Sequence, residues 1–464
     1  MTLQRGVRKT SPEENKIKEE NMKKFKKLTA LFLIVALVAT AFAGCSGGSS
    51  SWTDGDGKID GDLTFWTQDS SVWQQYFDPA VEAFREAYPD VNLKVEYFPE
   101  FADKMSQAFA AGQQPDVAQT WQSVTDWAKS GKLDAVPENV FSKDEMESLF
   151  YEASLKNKIY DGQYYCVPSE INVESPTLIV NMDLLAEAGI ELPQSWIDNN
   201  GPATFEELME VARKATVKEG DVVTRAGLAY VYGSWEANFL SLIWQFGGDY
   251  RDEAGNAVHF DTPEARQAAE LLLQYCKGED AVCDPGAVRY DAFTQQLAVM
   301  MVGAPWNVGS LAVDAPDINY QVFNMPAWVD GAEPYSLGVG GWGYIVSETC
   351  KNKEAAWAFV EFMSSAEQVG DWAYKTGALP SRTDALTDLS YDPNVGSIDK
   401  AIAITKDVLQ YAQEDGAYML TPSTLTYTIV RDQLRQMLET GDIDTALKTM
   451  EAEGNNMIAE NTAR

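Results

Sequence analysis

Apolar positions along the chain follow two spacings, and their alternation outlines the fold. "LTFW" from Leu63 reads as a buried strand. Asp78 followed by Pro79 predicts a helix start, with the carboxylate as cap and the proline in the first turn. Val81, Phe84 and Tyr88 then mark one helical face, and Pro89 ends it. "VNLKVEY" from Val91 alternates with period two and predicts a strand with one covered face. Two strands joined by a helix predict a right-handed crossover and a parallel pair.

The grammar repeats downstream. "PDVAQTW" from Pro115 predicts a short strand, and "TLIVNMDLLAEAGI" from Thr177 passes from strand to helix with Gly189 as its stop. "TPEARQAAELLLQYCKG" predicts a helix capped by Thr262, opened by Pro263 and stopped by Gly278. "NKEAAWAFVEFM" from Asn352 predicts another, and the stretch from Thr424 to Ala459 two more. Strands interleaved with helices make this an α/β protein with mainly parallel sheets. There is no internal repeat.

Length and composition refine the picture. The segment Met22 to Cys45 has four lysines followed by about 16 mostly apolar residues, shorter than the ~20 needed to cross a bilayer, and reads as an export signal with Met22 as the true start. Ala43 and Gly44 precede Cys45, and this run resembles a bacterial lipobox, with Phe42 where an aliphatic residue is usual. That resemblance implies a lipid on Cys45. Ser46 to Gly61, rich in Gly, Ser and Asp, is a flexible tether. The remaining ~420 residues exceed what one hydrophobic core serves, so two folded lobes are expected.

Without residues 1–44 the chain carries 27 basic against 66 acidic residues, a formal charge of −39 that repels phosphate backbones, and nucleic acid is not expected as a partner. Four cysteines remain after Cys45. Cys276 and Cys283 either close a short loop as a disulfide or stay buried thiols. With a single histidine, His259, and no CxxC, neither a metal site nor a cofactor is expected.

No catalytic signature stands out: there is no GxSxG elbow and no P-loop. Carboxylates are too numerous to nominate a glycosidase pair by counting. The informative excess is tryptophan, 13 in the chain. An indole face suits the apolar C–H side of a pyranose, whose hydroxyls need Asp, Glu, Asn or Gln. Trp66 precedes Gln68 and Asp69 at the end of a parallel strand, where open α/β sheets bind ligands. Core packing is the competing reading for each ring. Trp357 belongs to a core stripe with Ala356, Phe359, Val360 and Met363. Trp235 is in register with Phe239, Leu242 and Phe246, so core and cleft rim stay open. Trp306 follows Pro305 where a chain leaves a strand, and Trp342 lies in "GVGGWGYIV", whose glycines permit close approach of backbone or ligand, or a bend between lobes.

Taken in order, "FAAGQQPDVAQTW", "YDGQYYCVPSEINVESPTLIVNMDLLAEAGI", "QQLAVMMVGAPW", "KNKEAAWAFVEFMSS" and "GALPSR" resemble the family 1 extracellular solute-binding proteins, the maltose-binding-protein-like receptors of ABC sugar importers. The likeness covers nearly the whole mature chain. It implies two α/β lobes, Asp62 to Val173 plus Gly341 to Ala378, and Glu174 to Gly340 plus Leu379 to Arg464, with a hinge of several crossings near Asn172 to Pro176, Leu337 to Gly341 and Thr376 to Pro380. It implies ligand contacts at Gln68, Asp69 and Trp121 from one lobe and at Glu174, Trp235, Trp306 and Tyr427 from the other, with Trp342 at the second crossing. One departure is an insertion, Asn199 to Pro202, that splits a Pro-x-Thr-Trp-x-Glu-Leu motif into "PQSW" and "ATFEEL". The resemblance implies a monomeric lipoprotein on the outer side of the cell membrane that captures an oligosaccharide and delivers it to permease subunits, with no chemistry of its own. Two rivals follow from the residues: a surface glycoside hydrolase, or the same fold binding a peptide, polyamine or metal. The identity, length and linkage of the sugar are not readable from the sequence.

Overall fold

Two five-stranded sheets carry the fold of the computed structural model, which describes residues 58–462 apart from 123, 231–233, 253–255, 284–289, 339, 386–395 and 414–424. The signal segment, Cys45 and most of the tether lie outside the described residues. The first sheet starts as the apolar pattern predicts. β1 (Gly61–Gln68) and β2 (Val91–Phe98) pair in parallel across helix α1 (Ser71–Ala87), and β1 also pairs in parallel with β3 (Val117–Thr120). Helix α2 (Phe101–Ala111) joins β2 to β3 and ends on Gly112 in the left-handed conformation. The sheet is completed by β4 (Val167–Pro168) and, much later in the chain, by the strand Gly343–Val346.

Helix α1 begins seven residues before the Asp78–Pro79 signal. The Ser70 hydroxyl accepts from the Trp73 amide and caps the helix, so Pro79 falls inside it. A proline there forfeits one backbone bond. The buried face Val72, Tyr76, Phe77, Val81 and Phe84 outweighs that loss, at roughly 1.5–3 kcal/mol per buried large side chain. Its rings meet those of the same lobe: Phe77 lies 5.1 Å from Phe65, and Phe84 lies 5.0 Å from Phe359 of the later helix 353–363.

After β4 the chain forms the two-residue strand β5 (Glu170–Ile171) and then enters the second sheet through β6 (Thr177–Asn181). The Asn181 side chain caps the helical turn Met182–Glu187, which stops at Gly189. Helix α3 (Phe205–Ala215), strands β7 (Val217–Glu219) and β8 (Val222–Tyr230), helix α4 (Ser234–Gln245), helix α5 (Pro263–Cys276), strand β9 (Ala298–Gly303), helix α6 (Pro305–Asp314) and strand β10 (Tyr320–Asn324) follow. The order in this sheet is β10-β6-β9-β8-β7. All six residues of β9 are buried, as befits a central strand covered on both faces.

The chain then runs through β11 (Ser336–Leu337) back to the first sheet as β12 (Gly343–Val346), and on through α7 (Lys353–Met363), α8 (Ala366–Thr376) and β13 (Leu379–Pro380). Helix α9 (Ser397–Val408), β14 (Ala412–Gln413), a π-helical turn Leu425–Val430, α10 (Arg431–Thr440) and α11 (Ile443–Thr462) complete it. The α/β, two-lobed architecture is the expected one, but the sheets are mixed. β12 is antiparallel to β3 and β4, and β6 is antiparallel to β9 and β10. A strand arriving from the other lobe is not bound by the same-sheet crossover that enforces parallel pairing.

The inserted Asn199 to Pro202 makes a tight corner in which Asn200 and Gly201 have positive φ and the Asn200 carbonyl accepts from the Asn324 amide. The split motif keeps its structural contact: Trp196 is buried and its indole N–H donates to Glu207 at 3.0 Å.

Candidate functional site: the seam between the two sheets

Three stretches of backbone lie against one another where the chain passes from sheet to sheet. The Asn172 amide donates to the Gly340 carbonyl at 3.1 Å and the Glu174 amide to the Leu337 carbonyl at 2.8 Å, while β13 pairs with β5 through Leu379 and Ile171. Contact is so close that side chains are excluded. A Cβ on Gly338 would sit 2.7 Å from the Asn172 carbonyl oxygen, and one on Gly341 would sit 2.3 Å from that of Glu170. Both glycines also have positive φ, +120° and +137°.

On the first-sheet side Glu170, Lys158 and Gln119 find partners, whereas Asn157 Oδ1 is buried without one among the described residues. One Glu170 carboxylate oxygen accepts from the Trp372 indole at 2.6 Å, and the other is 3.5 Å from the Trp342 amide. The buried Lys158 ammonium donates to the Gly341 carbonyl at 3.0 Å. Burial pushes the Glu170 carboxyl up to about 7, tempered by Trp372, the Trp342 amide and Lys158. Trp73 packs edge-on against Trp342 at 5.2 Å and Trp372 at 5.0 Å. Its indole N–H donates to Gln119 Oε1, which also accepts from the Thr67 hydroxyl, each at 3.1 Å.

On the second-sheet side, acidic and orphaned groups gather at the start of α4. Burial pushes Glu174 up to about 8, with the neighbouring Glu236 and Glu170 charges adding to the effect and a 2.8 Å bond from Asn172 opposing it. Burial also raises Glu236, to about 6, offset by its own backbone amide and by Arg431 and Arg435. Among the described residues, Glu236 Oε1, Asn238 Nδ2 and Ser175 Oγ are buried without a hydrogen-bond partner. A buried polar atom left alone is uncommon and calls for water or a guest. Beside them a small open crevice is lined by Ser175, Asn238, Ser241, Gln245, Tyr335 and Ser336 among others. None of the tryptophans expected from the sequence lines it.

The expected residues fall into three groups. Trp66, Gln68 and Asp69 close β1, and Trp121 follows β3, so they share the C-terminal edge of the parallel pair. Trp66 is half-buried, its N–H donating to Glu96 at 2.9 Å and the Lys104 ammonium lying 4.9 Å over its ring. Asp69 is exposed and accepts from Gln74 at 2.7 Å. Glu174 and Trp342 sit on the seam, and Trp342 is only 8% exposed, its ring turned onto Trp73 and Phe101. Trp235, buried in the first turn of α4, adjoins Glu236. Trp306 is half-buried in the first turn of α6, whose Gly309 fits against the Thr376 carbonyl. Tyr427 belongs by its backbone to the π-helical turn, and its side chain lies outside the described part of the structure. Trp357 is buried and donates to Asp134 at 2.8 Å, in keeping with its core assignment.

Sequence reasoning missed Glu170, Glu236, Trp73 and Trp372. Glu236 had a signal: a carboxylate directly beside Trp235 at a helix start.

The family model for bacterial extracellular solute-binding proteins matches residues 66–370. The chain is 26% identical over 357 residues to a maltotriose-binding protein of Pyrococcus abyssi (strain GE5 / Orsay), covering 75% of this chain and 72% of the relative. It is 25% identical over 375 residues to a maltooligosaccharide ABC transporter solute-binding lipoprotein of Streptococcus pneumoniae (strain ATCC BAA-255 / R6), covering 78% and 82%. Among solved structures, the GacH receptor of Streptomyces glaucescens, described unliganded and with acarbose, superposes with a TM-score of 0.68 at 24% identity, over 87% of this chain and 100% of that one.

Proposed function

The chain belongs to the bacterial extracellular solute-binding proteins, and on that premise we propose that it captures an oligosaccharide between its two lobes and hands it, uncleaved, to an ABC permease in the membrane. The observation that carries this reading is the seam, where orphaned donors and acceptors, Glu236, Asn238 and Ser175, lie beside Glu174 and Trp235. Sugar hydroxyls both donate and accept, and would satisfy such groups. Trp306 and the β1 edge residues Trp66, Gln68, Asp69 and Trp121 supply faces and polar ends from either side, with Tyr427 as a further contact. We place the lobe boundaries at 62–173 plus 341–378 and 174–340 plus 379–464. Closure follows if the sugar contacts both lobes better when they are shut.

The protein acts without bond breaking, as a monomer held to the outer membrane face by a lipid on Cys45 and the tether that follows. The names of the relatives from Pyrococcus abyssi and Streptococcus pneumoniae support a maltooligosaccharide-type guest. The test is a panel of maltooligosaccharides and other β- and α-linked oligomers, read by thermal shift, tryptophan fluorescence and product chromatography. A saturable upward shift with intact sugar is expected. Release of shortened sugar, or no shift with any oligosaccharide, would overturn the reading.

A further inference from the structure

We propose that Cys276 and Cys283 are joined by a disulfide in the exported protein. The backbone brings them together without help from sulfur. Cys276 is the last residue of α5, and the chain turns back through Lys277 and Gly278, whose φ is +83°. The Val282 amide then donates to the Tyr275 carbonyl at 2.9 Å and the Cys283 amide approaches the same oxygen at 3.4 Å. The turn is tied at both flanks, by the Gly227 amide to the Val282 carbonyl at 2.9 Å and by the Lys218 ammonium to the Glu279 carbonyl at 2.7 Å.

The two Sγ atoms consequently lie 3.1 Å apart, about 1 Å more than a disulfide bond. Both residues belong to the core of the second lobe, 5% and 1% exposed. Cys166 and Cys350 are also buried, and burial pushes their thiols up to about 11 and about 12. Oxidation of the pair rests on the extracellular reading above, because thiols stay reduced inside most cells.

The oxidant is a dithiol-exchanging disulfide such as glutathione disulfide, met as the chain folds. One cysteine thiolate attacks it and expels one glutathione thiolate, leaving a mixed disulfide. The second cysteine thiolate attacks the protein sulfur of that mixed disulfide and expels the other glutathione. Two cysteines lose two electrons, one glutathione disulfide gains them, and the two thiol protons end on glutathione.

The test refolds the mature chain in a glutathione redox buffer, blocks thiols with N-ethylmaleimide under denaturing conditions and digests with trypsin. Peptides Gln267–Lys277 and Gly278–Arg289 are expected as one linked species, two hydrogens lighter than their sum and separated by reductant. The peptides bearing Cys166 and Cys350 should each carry the maleimide. Reduction should lower Tm by about 3 °C, a difference that Cys276→Ser and Cys283→Ser each abolish. Recovery of both peptides singly and alkylated, or linkage to Cys166 or Cys350, would overturn the proposal. Oligosaccharide binding in the same samples separates this outcome from failure of the functional reading.

Discussion

The two flanks of the seam differ in how much buried polarity they leave unmatched at the groups nearest the connecting strands. On the first-sheet side Glu170, Lys158, Gln119 and Trp73 are held by partners drawn from distant parts of the chain. On the second-sheet side Glu236, Asn238 and Ser175 each keep an atom with no partner among the described residues. The first arrangement fixes where the connecting strands lie. The second leaves hydrogen-bonding capacity unspent, at a cost in stability of about 1–3 kcal/mol per lone group that a suitable guest would recover.

The comparison is broken most severely at Glu170. Glu170→Ala leaves the Trp372 indole and the Trp342 amide without their acceptor and removes the carboxylate charge that faces buried Lys158, and should lower unfolding free energy in urea by about 3 kcal/mol. A loss below ~1 kcal/mol would mean the frame does not depend on this carboxylate. Trp306→Ala should act on the other quantity. We expect sugar binding to weaken by about 2 kcal/mol by calorimetry, with the free protein still folded and its Tm lowered by only a few degrees, because the half-buried ring also packs on the core of the second lobe. Unaltered affinity would remove Trp306 from the site.

Titration sharpens the contrast. Glu174 has its folded value raised from 4.5 to about 8, so the fold prefers it protonated. The stabilisation is complete below pH ~4.5 and is lost as pH rises toward 8. Tm of the free protein should therefore fall between pH 5 and pH 8.5, and Glu174→Gln should flatten that decline, although Glu174 retains some solvent contact and the change will be correspondingly moderate. An unchanged slope would show that another group governs it, Glu170 being the next, raised to about 7. The smallest effect is expected at Trp66→Phe, which removes one bond to Glu96 and should cost ~1 kcal/mol or less in unfolding free energy.

How much was legible in advance follows from chain distance. The β1-α1-β2 unit was readable because its periodicity and its turn residues are local. The start of α1 was misread because proline is a strong local marker, and nothing in the neighbouring sequence shows that Ser70 caps the helix eight residues earlier. Glu170 was invisible: its partners Trp342 and Trp372 lie 172 and 202 residues away. The glycines around Trp342 suggested close approach of backbone or ligand. Structure resolves this in favour of backbone at Gly338 and Gly341. Mixed strand directions were likewise hidden, because they depend on which lobe a strand arrives from.

Glycine against carbonyl at the seam has a bearing on how such a receptor can diversify. Gly338 and Gly341 admit no methyl group, so at these two points the strands meet main chain to main chain, whatever the chemistry of the cargo. The side chains proposed to meet the guest, by contrast, stand at the β1 edge, on α4 and on α6, outside those two glycine contacts. On the proposed reading, selection retunes the diet of the cell one such side chain at a time while these two contacts are inherited intact.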